Sequence, residues 1–281
     1  MTGGGRAARI GDLASYVALG LLAVFFATPF IWLTSLALRT PAEIYLGAAR
    51  LIPEAPTLGN FARILSDPAF LIYLWNGLKL SALGGALAVA LAIPAAYACS
   101  RLDFRRKQAV LIGILAVQMI SPLVILVPLY RWMGALDLLN LDASVVAIYG
   151  ALGMPLAVWL LKVAFDAVPL EIEEAAIVDG ANRFQVLTRI TLPLARPGLA
   201  SAFILAMVMN WSQFLVPFIL LERDADWPIS VAIFNFAGAV SASTTQLLAA
   251  ACLVAVMPAV LVFVLLQRMI VSALIAGAVK G

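Results

Sequence analysis

Long apolar runs separated by short polar connections dominate the chain. A membrane-spanning helix needs about 20 mostly apolar residues, because about 30 Å of hydrocarbon is crossed at 1.5 Å per residue. Runs of this kind lie at residues 13–38, 72–99, 109–130, 143–165, 198–221 and 247–267. The pattern predicts an all-α polytopic membrane protein with about six transmembrane helices. A seventh apolar stretch, 228–240, is shorter and is interrupted by Asn235 and Gly238. It reads as an extracytoplasmic loop that dips back. Residues 39–71 are more polar and carry Pro41, Pro53, Pro56 and Pro68, so they form a loop too proline-broken to span. The first run exceeds the usual 7–15 residues of a secretory h-region, and no small-x-small cleavage site follows it, so it reads as an uncleaved helix. The expected division is a leader at 1–12, a membrane domain at 13–270 with its outer loop at 39–71, and a tail at 271–281.

One connection, 167–197, has local structure of its own. Pro169 followed by Glu171, Glu173 and Glu174 predicts a helix start, since proline suits the first turn and acids favour the positive end of the helix dipole. Ala175, Ala176, Ile177 and Val178 continue that helix. Gly180 suits a helix end at which the chain turns with positive φ. A second helical run over 183–190 is expected to stop at Pro193. Two short helices at the membrane surface follow, with small side chains that let another protein approach. Helix physics alone fits equally well an interfacial hairpin that only joins two spans.

Composition narrows the class. The 281 residues are 64% hydrophobic and only 12% charged, against roughly 25% charged in soluble domains. Histidine is absent, which removes the commonest general base and metal ligand. Cys99 and Cys252 both sit inside apolar runs and read as buried thiols, with no metal site. A net charge of +3 is too small to indicate nucleic acid. Lys and Arg concentrate on one set of connections, most densely at Arg101, Arg105, Arg106 and Lys107, which places both termini in the cytoplasm by the positive-inside rule. No G-x-x-x-x-G-K-[ST] phosphate loop occurs, so this chain is not expected to hydrolyse ATP.

The spacing of the 167–197 connection carries a resemblance. Glu174, Ala175, Ala176, Gly180, Ile190, Leu192 and Pro193, with Asp179 as companion, match the EAA pattern of the cytoplasmic coupling loop in ABC-importer permeases. Over its whole length the chain looks like the carbohydrate-importer group, similar to the maltose-transporter G subunit. Trp211-Ser212-Gln213-Phe214 is similar to that group's Trp-Asn-acid-Phe signature, departing from it at Ser212 and Gln213. The ending at 276–281, with Lys280, looks like the tail that in the group reaches toward the ATPases. The resemblance implies a type I ABC-importer permease in a prokaryotic inner membrane. It implies a second, non-identical permease, an ATPase subunit pair carrying ATP and magnesium, and an extracytoplasmic solute-binding protein, which would dock on the side that 39–71 faces. This chain itself would hold no cofactor. ATPase closure would pull on Glu174 and its neighbours and swing the pore between its two openings.

Polar side chains at membrane depth face protein or water rather than lipid. Gln118 and Ser121 in the third span, and Asn210, Gln213 and Phe214 in the fifth, are the candidate pathway residues. The three-residue spacing of Asn210 and Gln213 predicts one shared helical face, and amides beside a ring suit a sugar. The same amides also suit hydrogen bonds between packed helices. A sugar or oligosaccharide is the expected solute. A glycerol-phosphate diester or polyol is the alternative, and a self-sufficient secondary transporter or channel is the competing class.

Overall fold

Where water is excluded, a chain must satisfy its backbone polar groups internally, and a helix does so within one segment. The computed structural model describes residues 4–45, 51–238 and 245–278, and every regular element among them is helical. The chain divides into two units, Met1–Asp67 with Asn235–Val254, and Pro68–Phe234 with Ala255–Gly281.

In the first unit, α1 (Gly4–Ala37) is a continuous helix through Pro29, and its Ser15–Ala37 part is long and apolar enough to cross a membrane. The proline-broken segment after it is folded. It carries α2 (Pro41–Tyr45) and α3 (Gly59–Leu65). Buried Asn60 donates from Nδ2 to the carbonyls of Ala37 and Arg39, both at 2.8 Å, and the Thr57 amide donates to Leu38 at 2.8 Å. These bonds satisfy the carbonyl of Ala37, the last residue of α1, and those of the two residues after it.

The second unit is organised on α4 (Pro68–Arg101), α7 (Asp142–Asp166) and α11 (Arg196–Trp211), which pack on one another. Small residues permit this closeness. A Cβ on Gly85 of α4 would lie 3.1 Å from the Met207 amide nitrogen of α11, and one on Gly198 would lie 2.2 Å from the Ala164 Cβ of α7. Close backbone approach is how membrane helices gain dispersion contact when the hydrophobic drive between them is weak. One buried cluster includes Ala92, Ala96, Val158, Leu161, Phe165 and Ala202. A second, with Leu80, Tyr149, Val216 and Leu220, packs at the other end of α4 and α7.

Four helical stretches are long and apolar enough to span: Ser15–Ala37, Pro68–Arg101, Asp142–Asp166 and Thr245–Val264 of α14 (Thr245–Ala278). Two bent pairs bring the number to six if each is one span. The third expected span is not straight. α5 (Lys107–Ala116), with a 3₁₀ turn at Val117–Met119, and α6 (Pro122–Ala135) meet at 87°. Pro122 forces the residue before it out of the helical region, and Ile120 and Ser121 are extended, with ψ of 118° and 130°.

The second bent pair is Arg183–Leu194 with Arg196–Trp211, which meet at 79°. The fifth expected span, 198–221, is itself divided. Helix α11 stops at Trp211 and α12 (Leu215–Leu220) begins after a break. Pro217 has no N–H to give to the Gln213 carbonyl, which instead accepts from Ser230 Oγ at 2.9 Å and Tyr149 Oη at 3.4 Å. The stretch expected to dip back is helical as α13 (Ile229–Gly238), and positions 239 and 240 lie outside the described residues.

Candidate functional site

The connection after α7 is a helical hairpin. Its first arm, α8 (Leu170–Val178), starts after Pro169 with Glu171 and Glu173 in the first turn. It ends in a Schellman arrangement: Ala181 N–H donates to the Ala176 carbonyl at 2.9 Å and Gly180 N–H to Ile177 at 3.0 Å. Gly180 adopts φ of 91° with open space where a side chain would go, so backbone conformation alone selects glycine.

The second arm opens with a capping box. Asn182 Oδ1 accepts from the Gln185 amide and Gln185 Oε1 accepts from the Asn182 amide, both at 2.9 Å. Helix α9 (Arg183–Val186) then widens into a π turn, Leu187–Thr191, and continues as α10 (Leu192–Leu194). Pro193 lies inside α10, and the helix ends one residue beyond it, at Leu194, where the chain bends by 79° into α11. The wider turn before it accommodates a ring that would otherwise meet a carbonyl one turn back.

The hairpin is fastened to the helix bundle by a buried ionic group. The Arg101–Glu173 pair has side chains only 7% and 4% exposed, with Arg101 Nη2 2.8 Å from Glu173 Oε1. Arg101 Nε donates to the same oxygen at 2.9 Å, and Thr191 Oγ1 at 2.8 Å. Glu173 Oε2 accepts from Tyr97 Oη at 3.2 Å. The Arg101 guanidinium also reaches the carbonyls of Phe165 at 2.8 Å and Val168 at 2.9 Å, capping the end of α7 with positive charge. One side-chain group thus joins the ends of α4 and α7, the first arm and the π turn. A buried pair is tolerable only when such additional bonds satisfy both charges.

The remaining hairpin side chains divide by exposure. Glu174, Ala175, Asp179 and Gly180 are exposed, Ala176 and Ile190 are half-buried, and half-buried Leu192 packs with Leu187 against the bundle core. Pro193 is half-buried beside it. Apolar side chains on the hairpin point outward, with Val178 87% and Phe184 74% exposed, accompanied by Leu170, Ile172 and Ile177. In the sequence Glu173 reads only as a helix-start acid and Arg101 only as a positive-inside anchor. Their partnership spans 72 residues, and no local pattern signals it.

The candidate pathway residues do not form one group. Asn210 is buried between α4 and α11, where its Nδ2 donates to the Ser81 carbonyl at 3.4 Å. Gln213 lies beyond the end of α11, so the two amides do not share a helical face. Gln118 is exposed and donates from Nε2 to the Leu152 carbonyl at 3.2 Å, and Ser121 is exposed at the bend before α6. Phe214 belongs to a ring cluster, 4.9 Å from Phe218 and 5.2 Å from Phe234 between centroids. Lys280 lies outside the described residues. Among the described residues no group of His, Cys, Asp or Glu is arranged to hold a metal ion.

Comparison with known proteins gives one consistent family. Residues 84–275 match the family described as the binding-protein-dependent transport system inner membrane component. The chain is 32% identical to the sulfoquinovosyl glycerol transport system permease protein of Agrobacterium fabrum, over 96% of this chain and 95% of that one. It is 31% identical to the trehalose transport system permease protein of Mycobacterium tuberculosis, over 95% and 97%. Its fold resembles that of a chain in a bacterial ABC transporter that imports the acidic polysaccharide alginate, with a TM-score of 0.78 at 24% identity, covering 94% and 97%. With its helices, its hairpin and these relatives together, the chain belongs to the inner-membrane components of binding-protein-dependent ABC importers, as a permease related to the carbohydrate-importer permeases and not itself an ATPase.

Proposed function

We propose that this permease imports a sugar or oligosaccharide and that the 167–197 hairpin is where a separate ATPase docks and delivers its stroke. The observation that carries this reading is the outward apolar face of the hairpin: Val178 and Phe184 are among its most exposed side chains, while Glu173 is turned inward. A surface covered by a partner gains from that inversion, as an interfacial hairpin would by burial in lipid, and the EAA spacing from Glu174 to Pro193 favours the partner. Exposed Glu174 and Asp179 flank the apolar face and supply charge for a cationic groove. Ile190, Leu192 and Pro193 serve the same hairpin from its bundle side.

In this reading ATP and magnesium are held by an ATPase subunit pair, a second, non-identical permease completes the pore, and an extracytoplasmic binding protein delivers the solute. The relatives named for trehalose and for sulfoquinovosyl glycerol support the sugar class. The Arg101–Lys107 end and both termini face the cytoplasm, supported by the basic residues gathered there. The ring cluster of Phe214, Phe218 and Phe234 suits the apolar face of a sugar, and Gln118 and Ser121 suit its hydroxyls. Asn210, engaged with Ser81, holds helices together instead. Affinity purification from native membranes in mild detergent, with mass spectrometry of the co-purifying chains, tests the assembly. A second permease and an ATPase are expected. Recovery of this chain alone, active in solute uptake without ATP, would refute the reading.

A further inference from the structure

The buried carboxylate of Glu173 sits next to exposed Glu174, and the two cannot share a task. Glu173 has no surface to offer a partner. Its two oxygens are taken by Arg101, Thr191 and Tyr97, and Arg101 holds the end of α7 through Phe165 and Val168. Three separate pieces of chain therefore converge on one carboxylate: the last turn of α4, the first arm of the hairpin and the π turn that leads to α11. Multiple charge-assisted bonds to a planar guanidinium fix orientation as well as position. Apart from this group the hairpin meets the bundle through the apolar side chains of Leu187 and Leu192, contacts without the directionality that would stop it rocking on Pro169 when a partner pulled it.

We propose that Glu173, clamped by Arg101, is the positioning residue that makes the hairpin and α4 move as one rigid body, so that displacement of the docked hairpin is passed to the α4–α7 pair. This rests on the docking reading above. Glu173 acts through Arg101 and touches neither solute nor nucleotide. The π turn at Leu187–Thr191, whose Thr191 hydroxyl closes the same group, lets α11 join without breaking the tie.

The test uses the whole transporter, purified with its ATPase pair in lipid nanodiscs, with Cys99 and Cys252 replaced by Ala. Spin labels at Glu171 of α8 and Leu91 of α4, both exposed, report the hairpin-to-α4 distance. A second pair, Glu171 to the ATPase surface, reports docking. The probe is ATP with vanadate, which traps the closed ATPase. In the otherwise wild-type chain, vanadate is expected to shift the second distance and leave the first unchanged. In Glu173→Gln the second still shifts, and the first now also changes with nucleotide, by on the order of one helical turn, about 5 Å. A role in stability alone would lower expression without making that distance depend on nucleotide. If Glu173→Gln does not fold, Arg101→Lys, which keeps the charge and loses the fork, is expected to show a smaller nucleotide-dependent shift. A first distance that already varies in the wild-type chain, or stays constant in the folded variants, overturns the proposal. A second distance that never shifts, or an ATPase that never co-purifies, overturns the docking reading itself.

Discussion

Glu173 and Glu174 are adjacent acids with opposite surroundings, and substitution should separate them. Glu173→Ala leaves the Arg101 charge buried without its partner, which is expected to cost about 3–5 kcal/mol and to appear as a lower melting temperature in detergent. Glu174 is exposed, so Glu174→Ala should change stability by less than about 0.5 kcal/mol, and its effect should fall on ATPase binding. At Gly180 the constraint is backbone conformation, since φ is 91° and space is open. Gly180→Ala is expected to cost about 1–2 kcal/mol. Gly180→Pro also removes the N–H that pairs with Ile177. It should insert into the membrane normally and fail to link ATP hydrolysis to uptake, as measured in reconstituted vesicles. Gly180 was legible in the sequence because helix termination is local chemistry. The Arg101–Glu173 pair was not, because its geometry exists only once α4 and the hairpin meet.

Among the elements, the existence of each apolar helix was legible and the breaks within them were not. Length and hydrophobicity decide that a segment enters a membrane as a helix. Whether a proline kinks, divides or merely rides in that helix depends on who accepts or donates in its place. Pro94 and Pro155 lie inside continuous helices. Pro217 follows a break because Ser230 and Tyr149 are placed to serve the freed Gln213 carbonyl. Pro193 is absorbed by a π turn. The break also separates Asn210 from Gln213, which undoes the shared face their spacing suggested. The α4–α7–α11 contact gives a test of its own. Gly85→Leu would press a branched side chain onto the Met207 backbone. It should cost about 1–3 kcal/mol by overpacking and lower the melting temperature, whereas Gly113→Leu, with open space at its Cβ, should leave it unchanged.

At the scale of the molecule, the first helix presents a long apolar surface. None of the most apolar part of Ser15–Ala37 is buried, and Tyr16, Phe25 and Phe26 are all well exposed. A soluble monomer does not present such a surface; lipid covers it in a membrane protein. The family places the chain in an importer whose energy comes from another subunit, and the account requires that subunit to meet the outward face of the hairpin. Photo-cross-linking tests this most directly. A photoreactive residue at Val178 of the assembled, ATP-hydrolysing transporter is expected to attach covalently to the ATPase, and the same residue at exposed Trp132 of α6 to give no ATPase adduct. Adducts from Trp132 and none from Val178 would contradict the account.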